Sequence, residues 1–543
     1  MNVSTCNFNE RQQPGKEKAF FPSPADWRDQ IVYQIFTDRF ENGDLSLHDK
    51  HPVARIDAFS RKSLHGGNLP GIEQHLDYIR NLGATTIWIS PVFLNDANCA
   101  YHGYGTVDFH CISPHIGGLP ALQKLIRAAH KRGIYVLIDV ICNHMGKRIT
   151  SDHPDYPAYR PPPRAYRIRW IDPKKKYPPP FNHLNCFHNH GHIHNFSGEE
   201  LILGSLKGLD DLRTERPDIR AFLINAYRRL ITLTDCDGFR IDTVRHVEWD
   251  FWREFAAAIH AHAESLGKKR FFLTGEVFDS DESAIAKYLG NCFNTETPEP
   301  NGEKKRHFLM DSVTDYPLYY AVSDVFHHNS PPARLQQRFK TLHSDLYDPD
   351  FRDHLLTFLD NHDVPRFLWR GNCNCSRKHR EHLLKLALVL LFTLPGIPCV
   401  YAGTELGFHG GHDPENRENM FGKHDPNYHL YRYISRLAAL RRSLVCLRRG
   451  ELKIIQADST GPGIFVFSRF SVVDACLVII NTSAEWRQLH RLSSPFPPDT
   501  VLADATGQAR PTRTDKTCHI EKRLIPPFSA RVYTAASHRK VTQ

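Results

Sequence analysis

Four short segments of this chain carry apolar or β-branched residues directly into a carboxylate: Asp139-Val-Ile-Cys-Asn143-His144, Gly238-Phe-Arg240-Ile-Asp242, Leu273-Thr-Gly-Glu276-Val and Phe358-Leu-Asp-Asn-His362-Asp363. Apolar runs of this kind suit strands buried on both faces of a parallel sheet. A fold that brings the carboxyl ends of successive parallel strands to one rim gathers all these polar groups at one mouth. No other feature of the chain restricts its architecture so strongly.

The rest of the sequence supplies the strands and helices such a fold requires. Ile31–Phe36 reads as a first strand and Ile72–Leu82 as a helix with Ile72, Leu76 and Ile79 on one face. Ala84–Ser90 gives a second strand. Leu119, Leu122, Leu125, Ile126 and Ala129 recur at helical spacing, Gly133 stops that helix, and Ile134–Val140 is the third strand. Five more strands are expected at Cys236–Ile241, Phe271–Gly275, about His307–Met310, Leu355–Leu359 and Ile397–Tyr401. Eight strands with intervening helices fit an α/β class fold, a closed (β/α)8 TIM barrel, better than an open sheet.

The barrel is expected over 27–145 and 212–445, behind an N-terminal tail at 1–26. Residues 146–211, rich in Pro, His and aromatics, form a loop-rich domain inserted after strand 3, which places it at the mouth as one wall of a cleft. Beyond residue 446 the pattern becomes short strands, Leu452–Ile455, Ile464–Phe467, Ala475–Asn481 and Ala530–Tyr533, separated by Pro and Gly turns. An antiparallel β-sandwich domain is expected over 446–543.

Composition removes several function classes. The formal charge of +9 is scattered over 543 residues without a basic run, so no nucleic-acid partner is expected. Leu383–Val400 is nearly all apolar, but Lys385 interrupts it and Pro395-Gly396 breaks it, so a buried helix and strand are expected rather than a membrane span. Met1–Phe20 has no apolar signal core, and thirteen cysteines without paired spacing point to free thiols. The expected location is cytoplasmic. Phosphate-loop and nucleophile-elbow motifs are both missing from the sequence.

Three carboxylates at strand ends, with Arg240 and two histidines beside them, are what glycosidic-bond cleavage requires. One carboxyl must donate a proton while another attacks or activates water. Arg240, two residues from Asp242 on the same strand face, is expected to favour the charged form of that aspartate. Glu276, flanked by Phe271, Phe272, Leu273, Val277 and Phe278, is expected to have a raised pKa.

From about Gln30 onward the chain resembles the α-amylase family of glycoside hydrolases. The four segments above match that family's motifs in order, and Ala100-Tyr-His-Gly-Tyr104, Gly208-Leu-Asp-Asp-Leu212 and Gly396-Ile-Pro-Cys-Val-Tyr-Ala-Gly-Thr-Glu405 match as well. The resemblance implies Asp242 as nucleophile, Glu276 as general acid/base and Asp363 as transition-state stabiliser. It implies that Tyr104 is a sugar-stacking platform beside His102, and that His144 and His362 bind sugar hydroxyls. Asp139 would support Arg240. The implied substrate is an α-1,4-glucan or maltooligosaccharide, with no organic cofactor and no membrane partner. Asp242-Thr-Val-Arg-His246 departs from the family's common Lys-His, and Arg245 is expected to keep a positive charge on the leaving-group side.

The resemblance further implies a structural Ca2+ held by Asn143, Asp211 and the carbonyl of His246. Asp38, Asn42 and Asp44 resemble a second Ca2+ loop, for which an Asx turn is an equal reading. His183, Cys186, His188, His190, His192 and His194 could bind a transition metal by composition, but their spacing defines no tetrahedral site. Two alternatives stay open: a transglycosylase or isomerase using the same intermediate, and a non-catalytic glucan-binding accessory protein.

Overall fold

The computed structural model describes residues 19–52, 54–293, 306–371 and 375–536. Positions 1–18 of the expected tail and 537–543 of the expected C-terminal domain lie outside the described residues. Eight parallel strands make the central sheet: β1 Val32–Ile35, β2 Thr86–Ile89, β3 Tyr135–Val140, β4 Gly238–Ile241, β5 Phe272–Gly275, β6 Ser312–Val313, β7 Leu356–Phe358 and β8 Ile397–Tyr401. Their order is β6-β5-β4-β3-β2-β1-β8-β7, and a parallel bridge between Thr314 and Leu356 brings β6 to β7. Trp27, Val32, Trp88, Leu137, Phe272, Tyr316, Phe358 and Ile397 pack in one buried cluster, while a larger core lies among Ile31, Tyr33, Ile87, Val136, Phe239 and the surrounding helices.

Two expectations need correction. The sixth strand is not at His307–Met310. Arg306–Phe308 instead pairs antiparallel with Asn291–Phe293, and the barrel takes the two-residue β6 that follows. The helix expected over Ile72–Leu82 is two helices, Leu69–Gln74 and Leu76–Leu82, separated at His75. The apolar stretch before β8 resolves into the helix Arg377–Thr393 and then β8 itself, and among the described residues no helix is long and apolar enough to cross a membrane.

The insert is closed at its base by an antiparallel pair, His144–Met145 with Asp210–Asp211. That pairing holds the first and last residues of the excursion against the rim of β3. The C-terminal region is a six-stranded antiparallel sheet with strands β9 Glu451–Ala457, β10 Ile464–Phe470, β11 Ala475–Asn481, β12 Val501–Asp504, β13 Thr512–Arg513 and β14 Ser529–Ala535, in the order β9-β10-β11-β14-β12-β13. Two short ribbons, Arg487–Leu489 with Arg523–Ile525 and Leu492–Ser493 with His519–Ile520, cover one face of it through Leu489, Leu492 and Ile525. Ten described cysteines are free thiols, eight of them buried, and Cys375 is disulfide-bonded.

Candidate active site

Parallel register sets Asp139 of β3 directly beside Arg240 of β4. Close approach of β4 to β5 requires Gly238, where a Cβ would stand 2.4 Å from the Phe272 carbonyl oxygen. Arg240 is 1% exposed and serves three carboxylates. Its Nη1 lies 3.1 Å from Asp139 Oδ1 and 2.8 Å from Asp242 Oδ1, and its Nη2 lies 3.0 Å from Glu276 Oε1. One rigid guanidinium fork therefore fixes the relative placement of both candidate reacting groups. Trp88 supports the fork from its ring face, 5.0 Å from Cζ, and its indole N–H donates to Asp139 Oδ2 at 3.1 Å.

Backbone strain sits between the two carboxylates. Thr243 adopts φ 51°, ψ 42°, a left-handed conformation that is rare for a β-branched residue. This turn presents its backbone N–H to Glu276 Oε2 at 2.9 Å.

Burial dominates the protonation of the site. It pushes Glu276 up to about 8, with Arg240 opposing and the charges of Asp242 and Asp363 adding to the rise. It also raises Asp242 to about 6, and Arg240 opposes that rise, favouring the charged form as expected but outweighed by burial. Asp139 is likewise raised to about 6 by burial, against Arg240 and the Tyr104 hydroxyl. Asp363 goes the other way: burial would raise it, but His362, Arg417 and Arg240 outweigh burial and hold it at about 2. Burial keeps His362 neutral down to about 3. The standing cation beside Asp363 is therefore Arg417, whose Nη2 lies 3.5 Å from Oδ1. At neutral pH this set offers an ionised Asp242 facing a protonated Glu276, the division of labour an acid and a nucleophile need.

Sugar-binding residues expected from sequence meet here along a hydrogen-bond chain. Gln34 Nε2 lies 2.6 Å from His362 Nδ1, which must accept from the amide, so Nε2 carries the imidazole proton. That proton faces the Tyr104 oxygen at 2.6 Å, and the Tyr104 hydroxyl donates to Asp139 Oδ2 at 2.8 Å. The Tyr104 and His362 rings run parallel, 4° apart with centroids 5.4 Å apart. His144 is buried with both nitrogens engaged, Nε2 on the Tyr104 carbonyl at 3.1 Å and Nδ1 on the Asn143 amide at 3.2 Å. His102 and Tyr104 alone among these four keep partly exposed surface.

Sequence reading missed Gln34, Trp88 and Arg417. Arg417 also donates from Nε to the His362 carbonyl at 3.1 Å and pairs with Asp413 at 3.0 Å. Arg245 does not stand free on the leaving-group side: it pairs with Asp279 at 2.8 Å and donates to the carbonyls of Phe278 and, in the insert, Phe196.

Of the expected Ca2+ ligands, Asn143 and Asp211 lie at the base of the insert, while His246 ends the turn Val244–His246 after β4. Asp211 Oδ1 is buried without a hydrogen-bond partner, while its Oδ2 lies 2.7 Å from His188 Nδ1. His188 Nε2 reaches Glu215 at 3.2 Å. Burial alone would lower His188, but Asp211 and Glu215 outweigh burial and raise it to about 9, so an imidazolium already supplies positive charge there. The His246 ring meets the Leu201 carbonyl at 3.0 Å. In the loop expected to resemble a second Ca2+ site, Asp38 accepts from the amides of His65 and Gly66, and Asp44 makes an Asx turn to the Ser46 amide at 2.9 Å. The histidines of the insert disperse: His190 meets the Arg160 carbonyl, and His192 packs edge-on against Tyr156.

A barrel rim that holds one carboxyl protonated and its neighbour ionised under a shared arginine defines a glycosidase type of site. The family follows from comparison: the sequence model described as "Alpha amylase, catalytic domain" matches residues 34–443, and the chain belongs to the alpha-amylase family. A beta/alpha-amylase of Paenibacillus polymyxa is 33% identical over 478 residues, 87% of this chain and 35% of that protein. The chain thus spans about a third to a half of the first curated relatives it matches. Among solved structures, the alpha-amylase from Geobacillus thermoleovorans, complexed with acarbose, is 31% identical, with 94% of this chain and 99% of that chain aligned at a TM-score of 0.72. A cyclomaltodextrin glucanotransferase with a three-domain ABC distribution is 26% identical, with 93% and 99% aligned at 0.76.

Proposed function

We propose that this chain is a retaining glycoside hydrolase that cleaves α-1,4-glucosidic bonds in starch- or glycogen-type glucans or maltodextrins. The observation that carries this reading is the Arg240 guanidinium bound at once to Asp242 and Glu276, with Glu276 raised to about 8 and Asp242 to about 6. Asp242 attacks the anomeric carbon as the bond to the leaving oxygen breaks, and the proton of Glu276 goes to that oxygen. Glu276, now ionised, then takes a proton from water, whose oxygen displaces Asp242 and restores the anomeric configuration. Asp363, ionised beside Arg417, accepts hydrogen bonds from sugar hydroxyls as the ring flattens. The acarbose complex of the Geobacillus relative supports an oligosaccharide in this cleft.

Similarity to a glucanotransferase favours one second reading, in which a sugar hydroxyl replaces water in the second step. Asn143, Asp211 and the carbonyl of His246 are proposed to hold a structural Ca2+, supported by the unpartnered Asp211 Oδ1. That ion would reinforce the base of the insert and takes no part in the chemistry. A cytoplasmic location is proposed from the ten free thiols.

The test is incubation with soluble starch and a maltooligosaccharide ladder beside Asp242→Asn, with products resolved by size and anomeric form. Short α-anomeric products, reduced about 10⁴-fold or more in the variant, are expected. Wild-type turnover in Asp242→Asn removes the nucleophile assignment. Disproportionation exceeding hydrolysis selects the second reading.

A further inference from the structure

Outside the catalytic set, three segments converge on a second cluster. Glu41 closes the short helix Thr37–Phe40 after β1, His75 is the break between the helices Leu69–Gln74 and Leu76–Leu82, and His424 lies in the loop between β8 and the helix His429–Ser443. One atom able to bind a metal from each residue lies within 4.8 Å of the other two. His424 Nδ1 stands 3.4 Å from Glu41 Oε2, and the two imidazole rings lie 3.9 Å apart by centroid, inclined at 31°.

The His424 side chain is 5% exposed, yet neither ring nitrogen has a hydrogen-bond partner. Phe40 at 4.7 Å and Tyr78 at 5.2 Å meet the ring edge-on. Such packing accounts for the apolar part of the ring and leaves both nitrogens unexplained, since buried polar atoms are ordinarily paired. His75 adds a second pointer. Its Nδ1 lies 2.9 Å from the Gly71 carbonyl, which makes Nδ1 the N–H donor and leaves the lone pair on Nε2. A backbone carbonyl that fixes the far nitrogen in this way is the usual support of a metal-ligating histidine. Glu41 is held similarly, with Oε1 accepting from the Asn42 amide at 2.9 Å and Oε2 from the Gly422 amide at 2.8 Å.

We propose that Glu41, His75 and His424 bind one divalent transition-metal ion, with Zn2+ the best match. Two imidazole nitrogens and one carboxylate oxygen suit zinc, with water as fourth ligand, whereas Ca2+ and Mg2+ take oxygen donors. The ion ties the loop after β8 to the segments that follow β1. That loop carries Arg417, so the metal braces the cation beside Asp363 without touching the reacting atoms.

The experiment uses the full, untagged chain, stripped with chelator, re-equilibrated with Zn2+ alone and freed of unbound metal before zinc analysis. The wild type is expected to retain one zinc per chain. His75→Ala and His424→Ala are each expected to weaken retention about 100-fold or more, and His190→Ala/His192→Ala in the insert to leave it unchanged. Retention no greater than a buffer blank, or equal in the His75→Ala/His424→Ala double variant, overturns the proposal. Should the variants fold poorly, X-ray absorption at the zinc edge of the wild type decides. A shell of two imidazole nitrogens with oxygens supports the site, and a sulfur-containing or oxygen-only shell refutes it.

Discussion

At the scale of single residues, the site is governed by how deeply its acids are buried. In the proposed first step Asp242 is ionised and Glu276 protonated, and burial raises them to about 6 and about 8. The dependence of kcat/KM on pH is therefore expected to be bell-shaped, rising near 6 as Asp242 loses its proton and falling near 8 as Glu276 loses its own. Steady-state rates on a maltooligosaccharide across both limbs test this, and Glu276→Gln should remove the falling limb along with most of the activity. Retention of the falling limb in Glu276→Gln would show that Glu276 is not the acid. These two carboxylates were legible in the sequence because each ends an apolar strand. Arg417 was not, since it comes from an irregular loop more than fifty residues beyond Asp363, where no periodicity marks which side chain folds back. Gln34 left only a faint trace, a polar residue inside an otherwise apolar first strand.

At the scale of elements, the strands that read clearly were those with apolar residues leading into a polar strand end. β6 has only Ser312 and Val313, too short to carry a pattern, and the apolar run before it drew the expectation upstream. The break at His75 was hidden because Ile72, Leu76 and Ile79 keep helical spacing across it. The insert carries a prediction of its own. His188 is raised from its ordinary 6.5 to about 9 by Asp211 and Glu215, against burial. Its contribution to stability is fully present below pH 6.5 and is lost as pH rises through about 9. Melting temperatures of the wild type should fall over that interval by the equivalent of at most about 3 kcal/mol, and those of His188→Ala should stay flatter. Added Ca2+ should raise the melting temperature more near pH 9 than near 6.5, because neutral His188 no longer holds Asp211. No calcium effect at either pH would reject the Asn143–Asp211 site and leave His188 as the counter-charge.

At the scale of the whole molecule, the C-terminal sheet is not an independent unit. Phe465, Phe467, Val478, Ile480 and Val532 belong to the same buried cluster as the barrel's helices. Arg469 of β10 donates to the carbonyls of Thr393 and Gly450, both at 2.8 Å, and buried Arg441 donates to those of Phe392, Leu394 and Gly396. Calorimetry is expected to show one cooperative transition. Arg469→Met should cost about 2–4 kcal/mol by leaving buried carbonyls unpaired, and removal of residues after 450 should leave the barrel insoluble. Two separate transitions, or a soluble and active truncated barrel, would contradict the shared core. A barrel and an antiparallel sheet were both legible in the sequence, but strand patterns give no sign of which sheet face is shared.

The fork of Arg240 has a consequence for how this site can change over generations. Asp139, Asp242 and Glu276 lean on one positive charge, so an exchange at any of them redistributes that charge between the other two and resets their proton affinities together. Under the proposed roles, any single exchange among these three acids is expected to unsettle the other two, so tolerated variation is expected in the insert rather than under the fork.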